Sequence, residues 1–265
     1  MTANRVGFWG GLLVFVAMLL APVPSGMEAS AWNVAALTLL MATWWMTQAL
    51  PLTVTALLPF LALPLMGVLT AQDVAKEYYS PTLFLILGGA FLALTIERTG
   101  MHRRVALAIL GRSGHSVQGL MIAFMGSTAL LSMVMSNTSI ALIMVPIAIA
   151  VLAAGGVKEG ETDGLPGALI MGVAFAASIG GLGTLVGSPT NAIAAGLVEK
   201  QLGIQITFVT WMQYGLPIVL LGIPLCAFIL MRVQKVTTGS FDVDAARAAI
   251  GKPQPMSVAE RRLVP

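Results

Sequence analysis

The chain has 265 residues, of which 57% are apolar and only 9% charged. An ordinary soluble domain carries about 25% charged residues, so this chain cannot cover a water-facing surface, and its mean hydropathy of +0.91 places it in a bilayer. The net charge of +3 is spread between apolar segments with no basic stripe or aromatic platform, which excludes a nucleic-acid partner. The single Cys226 excludes both a disulfide framework and a cysteine metal site.

A membrane-spanning helix needs about 20 apolar residues. The first candidate covers 8–23, after Arg5. The Ala29-Ser30-Ala31 triplet imitates a signal cleavage site, but everything downstream is equally membrane-like, so an uncleaved first helix is the simpler reading. The second candidate, 31–50, is closed by Pro51, with Trp44 and Trp45 near its end as an aromatic anchor. The third, 52–69, is interrupted by Pro59 and Pro64. A polar loop with Asp73, Lys76, Glu77, Tyr78 and Tyr79 precedes the fourth, 82–96. A basic stretch then holds Arg98, Arg103, Arg104 and Arg112, flanked by His102 and His115. Within it, 105–110 is a short helix lying at the membrane surface.

The runs 118–135 and 139–154 are separated only by Ser136-Asn137-Thr138. A charged loop with Lys158, Glu159, Glu161 and Asp163 follows. The apolar run 165–198 is broken by Gly180, Gly181, Gly183, Gly187 and Pro189, and 206–231 is the last span before a polar tail. Cations concentrate on the cytoplasmic side of membrane proteins. A cytoplasmic N-terminus, with 118–154 leaving and re-entering one side, puts nearly all Lys and Arg inside and only Lys76 and Lys200 outside.

No charged residue occurs in 118–156 or in 165–198. Each of these stretches nevertheless carries small polar residues: Ser132, Ser136, Asn137, Thr138 and Ser139 in the first, Thr184, Ser188, Thr190 and Asn191 in the second. Irregular backbone at membrane depth is tolerated only where it is buried in protein or lines a cavity. Ser136 is a good N-cap for the helix that follows, and Pro189 breaks the second run because it lacks a backbone donor and disfavours helix at Ser188. Hydroxyls, amide oxygens and freed carbonyls suit alkali cations, and half-helix N-termini suit an anion. An anionic substrate with no Arg or Lys beside it requires charge compensation by bound cations. Ser127, Thr128 and Ser178 read as helix packing instead. The apolar segments hold no His with Asp and no carboxylate pair, so an intramembrane enzyme is not expected.

These residues resemble the divalent anion:sodium symporter (DASS) family. Ser136-Asn137-Thr138 with Pro146 beyond is similar to its Ser-Asn-Thr signature. The run holding Trp44, Trp45, Gln48, Pro51, Thr55 and Pro59 is similar to its second-to-third helix junction, and Gly180-Gly181 through Gly187-Ser188-Pro189-Thr190-Asn191 to its Gly-Thr-Pro-Pro-Asn loop. The resemblance implies an all-α integral membrane protein, the N-terminal half of an inverted-repeat transporter with a re-entrant hairpin and a broken helix, working as a homodimer when full length. Residues 1–112 would be scaffold helices. Residues 113–235 would be the first half of the transport domain, with the hairpin at 118–154, the broken helix at 165–199 and the last span at 206–231. Residues 236–265 would be a cytoplasmic linker, with the chain truncated before the second repeat; the stretch from Ser257 to the end looks like the approach to a further span.

Carried over by position, Ser132, Ser136, Asn137 and Gly187 would hold a co-transported sodium ion, and Asn137, Thr138 and Ser188 would touch a substrate carboxylate. Gln48 stands where the family often has Glu, and Ser188 and Thr190 stand for Thr and Pro. The implied function is sodium symport of small dianions, C4-dicarboxylates first, across the cell inner membrane. The alternatives are a sodium-independent dicarboxylate exchanger and a non-functional fragment of such a transporter.

Overall fold

Gly7 and Gly11, four residues apart, seat the first helix (α1, Ala3–Leu20) on the second (α2, Ala29–Thr47). A side chain at Gly7 would overlap Thr47, and one at Gly11 would lie 3.0 Å from the Trp44 indole nitrogen. Small residues at this spacing let membrane helices approach closely. The Trp44 ring stacks on Phe8 with centroids 5.0 Å apart, and its indole N–H donates to the Phe8 carbonyl at 3.2 Å. Trp44 is therefore only 6% exposed, and Trp45 alone keeps an outward position. The sequence expectation of a paired aromatic anchor is corrected here, because a glycine-lined partner helix offers the indole a closer fit than the bilayer edge. Gly11→Leu is expected to separate α1 from α2, read as stronger quenching of tryptophan fluorescence by added acrylamide as Trp44 loses its cover.

The structure, a computed structural model, describes residues 3–112, 114–158, 160–237 and 241–250. Its contacts divide the chain into two units, 1–81 and 82–265. This division follows packing. The 112/113 boundary expected from the sequence concerns which parts would move.

In the first unit, the expected third span resolves into two short helices, α3 (Leu52–Ala56) and α4 (Leu58–Leu65). Pro59 occupies the first turn of α4, where no backbone donor is needed, while Pro64 sits inside it. The expected polar loop is helical instead, as α5 (Ala71–Tyr78). The Thr70 hydroxyl accepts from the Asp73 N–H at 3.2 Å, and its own proton reaches the Asp73 carboxylate at 2.6 Å. That Thr-x-x-Asp spacing is a helix-start signature.

In the second unit, α6 (Pro81–Thr99) ends at Gly100, whose φ of 77° reverses the chain into α7 (Met101–Leu110). The hairpin is α8 (Val117–Ser132) and α9 (Asn137–Ala154), and the broken run is α10 (Leu165–Gly181) and α11 (Pro189–Leu202). The long α12 (Phe208–Val233) follows, then a short α13 (Val243–Ile250). Among the described residues, four stretches are long and apolar enough to cross a membrane: Ala3–Leu20, Ala71–Thr99, Asn137–Ala154 and Phe208–Val233. In Ala71–Thr99 the apolar part is α6. The chain is an integral, multi-pass membrane protein.

The core of this unit surrounds α8, where Leu120, Met121, Phe124 and Met125 are fully buried. Helix α10 meets α8 through small residues. Gly172 faces Met121 and Met125, and a side chain at Gly180 would overlap the Ala129 backbone. Ser127 and Thr128 both donate to the Phe124 carbonyl, at 3.0 and 2.7 Å.

Part of the expected linker is α13, docked across both ends of the hairpin. His115, just before α8, contacts Asp244 at 2.6 Å, and Arg247 reaches His115 Nε2 and the Gly111 carbonyl, both at 3.0 Å. Just after α9, the Gly155 carbonyl accepts from the Asp242 N–H at 3.1 Å. Residues 251–265, with the expected approach to a further span, and Glu159 lie outside the described residues.

Candidate functional site

Two interruptions of helix meet in the second unit. One is the turn Met133–Ser136 between α8 and α9, and the other is the seven-residue break 182–188 between α10 and α11. Ser132 closes α8 and is fully buried. Its hydroxyl lies 2.7 Å from Asn137 Oδ1 and 2.6 Å from the Ala177 carbonyl oxygen. A hydroxyl has one proton, so it serves one of these two acceptors. The other oxygen pair is then held together either by turning the Asn137 amide so that its NH2 donates to Ser132, or by a cation shared between the oxygens.

Further oxygens crowd the same spot. A side chain at Gly181 would come within 2.8 Å of Asn137 Oδ1, and one at Gly187 within 2.6 Å of the Gly181 carbonyl and 3.1 Å of the Ser132 carbonyl. Only glycine at both positions lets these backbones and the Asn137 amide touch. Ser132, Asn137 and Gly187, singled out in the sequence, are thus neighbours, joined by Gly181 and Ala177, which the sequence reading did not assign. The signal for Gly181 was present in the glycine cluster. That for Ala177 was not, because its contribution is a backbone carbonyl.

Ser136 takes another place. Its hydroxyl caps α9, accepting from the Ser139 N–H at 3.1 Å and lying 2.8 Å from the Ser139 hydroxyl. Asn137 is half-buried and Thr138 exposed, at the first two positions of α9. Ser188 is half-buried at the start of α11. Its hydroxyl pairs with that of Thr190 at 2.8 Å and makes no capping bond to the helix backbone. Among the described residues, Thr138 and Ser188 share no hydrogen bond. Two helix N-termini, of α9 and α11, therefore open beside the oxygen cluster, each bearing hydroxyls and partial positive charge.

Two residues to which the sequence assigned no site role hold the break in shape. Thr184 donates to the Met133 carbonyl across the two interruptions and accepts from the Gly187 N–H at 3.0 Å. Asn191, 3% exposed, donates to the Gly181 carbonyl at 2.7 Å and the Thr184 carbonyl at 2.9 Å. From α12, the Trp211 indole donates to the Leu182 carbonyl at 2.9 Å.

Comparison with known proteins bears on what such an arrangement does. A sequence profile described as citrate transporter matches residues 42–259. A sodium-dependent dicarboxylate transporter of Staphylococcus aureus strain MRSA252 is 40% identical over 230 residues, which is 84% of this chain and 44% of the relative. One from Staphylococcus saprophyticus is 39% identical over 221 residues, 81% of this chain and 43% of the relative. The chain therefore spans less than half the length of these relatives.

Proposed function

Because the chain belongs to the citrate transporter family, we propose that its oxygen cluster binds a co-transported sodium ion and that the helix starts beside it take one carboxylate of a small dianion, a C4-dicarboxylate first. The observation that carries this reading is the Ser132 hydroxyl between Asn137 Oδ1 and the Ala177 carbonyl. Uncharged oxygens at hydrogen-bonding separation with one proton between them are suited to a hard monovalent cation. The surrounding absence of charge in 118–156 and 165–198 makes such a cation the local counter-charge for an anion.

In this reading Ser132, Asn137 and the Gly187 backbone supply ligands, and Ser136 fixes the start of α9 from which Asn137 projects. Thr138 and Ser188 offer hydroxyls, and the first turns of α9 and α11 offer backbone N–H groups, to the carboxylate. Helix α8 would be about 24 Å long and α9 about 27 Å, against a hydrocarbon core of about 30 Å. Such lengths suit a full crossing as well, so the support for a re-entrant hairpin with cytoplasmic ends is its turn, tied to the helix break by the Thr184 bond to the Met133 carbonyl. The relatives' names support sodium-dependent dicarboxylate transport; the reading takes it as symport across the cell inner membrane by a homodimer of the full-length protein, as the resemblance implies.

The test joins this chain to the remaining segment of the S. aureus relative, in place of the residues it matches. In proteoliposomes the chimera should accumulate succinate when sodium is outside and lose that uptake when potassium or choline replaces it. Equal uptake in all three salts would overturn sodium coupling and leave exchange as the mechanism. In the same chimera Ser188→Ala is expected to raise the half-saturating succinate concentration about 5-fold or more, the scale of one lost hydrogen bond to a charged group. Ser178→Ala should change nothing, since that hydroxyl only returns to the Ala174 carbonyl of its own helix at 3.3 Å. Identical transport by both variants would mean that the anion does not touch Ser188.

A further inference from the structure

We propose that Thr184 is the positioning residue of the cation site: it clamps the helix break to the hairpin turn and so sets where the Gly187 peptide stands. This rests on the reading that Ser132, Asn137 and Gly187 hold the ion. Thr184 itself touches none of the proposed ligand oxygens. It acts through two backbone groups that belong to different helix interruptions, the carbonyl of Met133 and the N–H of Gly187.

A seven-residue break in an apolar run leaves peptide groups that neither helix can satisfy, and each buried unsatisfied group costs about 1–3 kcal/mol. Thr184 is 5% exposed, so water is a poor substitute for its hydroxyl. That hydroxyl uses its proton on Met133 and a lone pair on Gly187. One atom therefore serves the Met133 carbonyl at the end of α8 and, at 3.0 Å, the Gly187 N–H just before α11, whose other acceptor, the Thr184 carbonyl, is more distant at 3.3 Å. Asn191 anchors the same loop from the other side, at the carbonyls of Gly181 and Thr184. Trp211 holds the outer edge at Leu182.

The consequence is specific to Gly187. Its backbone packs against the carbonyls of Gly181 and Ser132, where a side chain would come within 2.6 and 3.1 Å. Such close packing leaves the peptide little freedom except by a shift of the whole loop. The Thr184 clamp opposes that shift by tying the loop to the turn that also carries Ser136 and Asn137. The hairpin tip and the broken helix thus move as one piece, and the ion site keeps its spacing.

The experiment compares Thr184→Val, which keeps shape and removes the hydroxyl, with Thr184→Ser, which keeps the hydroxyl. Both are made in the purified 265-residue chain in detergent. Hydrogen–deuterium exchange over 182–188 is measured without sodium. Exchange of the Gly187 amide should quicken at least 5-fold in Thr184→Val and stay within 2-fold of the parent in Thr184→Ser. The sodium concentration that half-saturates thermal stabilisation, against a potassium control, should rise at least 5-fold in Thr184→Val and be restored in Thr184→Ser. These factors correspond to loss of a buried hydrogen bond.

Parent-like exchange and parent-like sodium response in Thr184→Val would overturn the proposal. So would faster exchange with an unshifted sodium response, because the clamp would then serve the loop and not the ion. A parent chain with no response to sodium above potassium would sink the sodium reading itself. In that case the exchange comparison still decides whether Thr184 fixes Gly187.

Discussion

Gly180→Ala is expected to lower the thermal midpoint of the purified chain and broaden its elution from a sizing column, while Gly126→Ala leaves both unchanged or slightly raises the midpoint. Both glycines lie inside helices, so intrinsic propensity favours alanine at each by about 0.5–1 kcal/mol. Space decides the sign. Nothing lies within 4 Å of a side chain placed at Gly126, whereas one at Gly180 overlaps the carbonyl, Cα and C of Ala129. A clash with backbone cannot be relieved by a rotamer change, so α10 must move off α8. Overpacking of this kind typically costs about 1–3 kcal/mol, and backbone contact places Gly180 at the upper end. The displacement would also part Ser132 from the Ala177 carbonyl, three residues before Gly180. Sodium stabilisation should therefore fall in Gly180→Ala and persist in Gly126→Ala. Equal midpoints for the two variants would mean that α8 and α10 do not pack through Gly180.

Much of the second unit was legible in the sequence because its breaks are written in residue types with strong local preferences. Ser136 capped α9 and Pro189 began α11 as expected. The glycines between Gly180 and Gly187 marked the close approach that the structure shows. What stayed hidden falls into two kinds. Backbone participants, such as the carbonyls of Ala177 and Met133, carry no signature in side-chain identity. Long-range fits also leave no local mark. Trp44 has the look of an interfacial anchor until Gly7 and Gly11, more than thirty residues earlier, are seen to make room for it. Helix α13 was hidden for the same reason. It is short and follows a polar tail, and what gives it a place lies far away in the chain: the partners His115, Gly111 and Gly155, and the core that buries Ala246 and Ile250. The α5 helix was a different matter, since Thr70 and Asp73 carried a readable start signal that the surrounding charges obscured.

Asn137→Ala should weaken sodium stabilisation of the chain by roughly 5- to 150-fold in half-saturating concentration, the range for loss of one buried coordinating or hydrogen-bonded group. The Ser132 hydroxyl would still have the Ala177 carbonyl, so the fold should persist while the ion loses an oxygen. Asn137→Asp separates the ion from the anion more sharply. A carboxyl introduced into a stretch with no charge of either sign is penalised in its ionised form by desolvation. Sodium would offset that penalty, so binding of the ion and loss of the proton become linked. Sodium should bind this variant more tightly as pH rises and more weakly as it falls, whereas the parent amide shows no such dependence. The added negative charge acts oppositely on a dianion. Two like charges about 4 Å apart repel by about 4 kcal/mol at an effective dielectric constant near 20. The chimera carrying Asn137→Asp should therefore need far more succinate for half-maximal uptake even where sodium binds well. Measurement of both quantities between pH 5 and 8 checks the assignment. Parent-like sodium affinity in Asn137→Ala, together with a pH-independent affinity in Asn137→Asp, would remove Asn137 from the ion site.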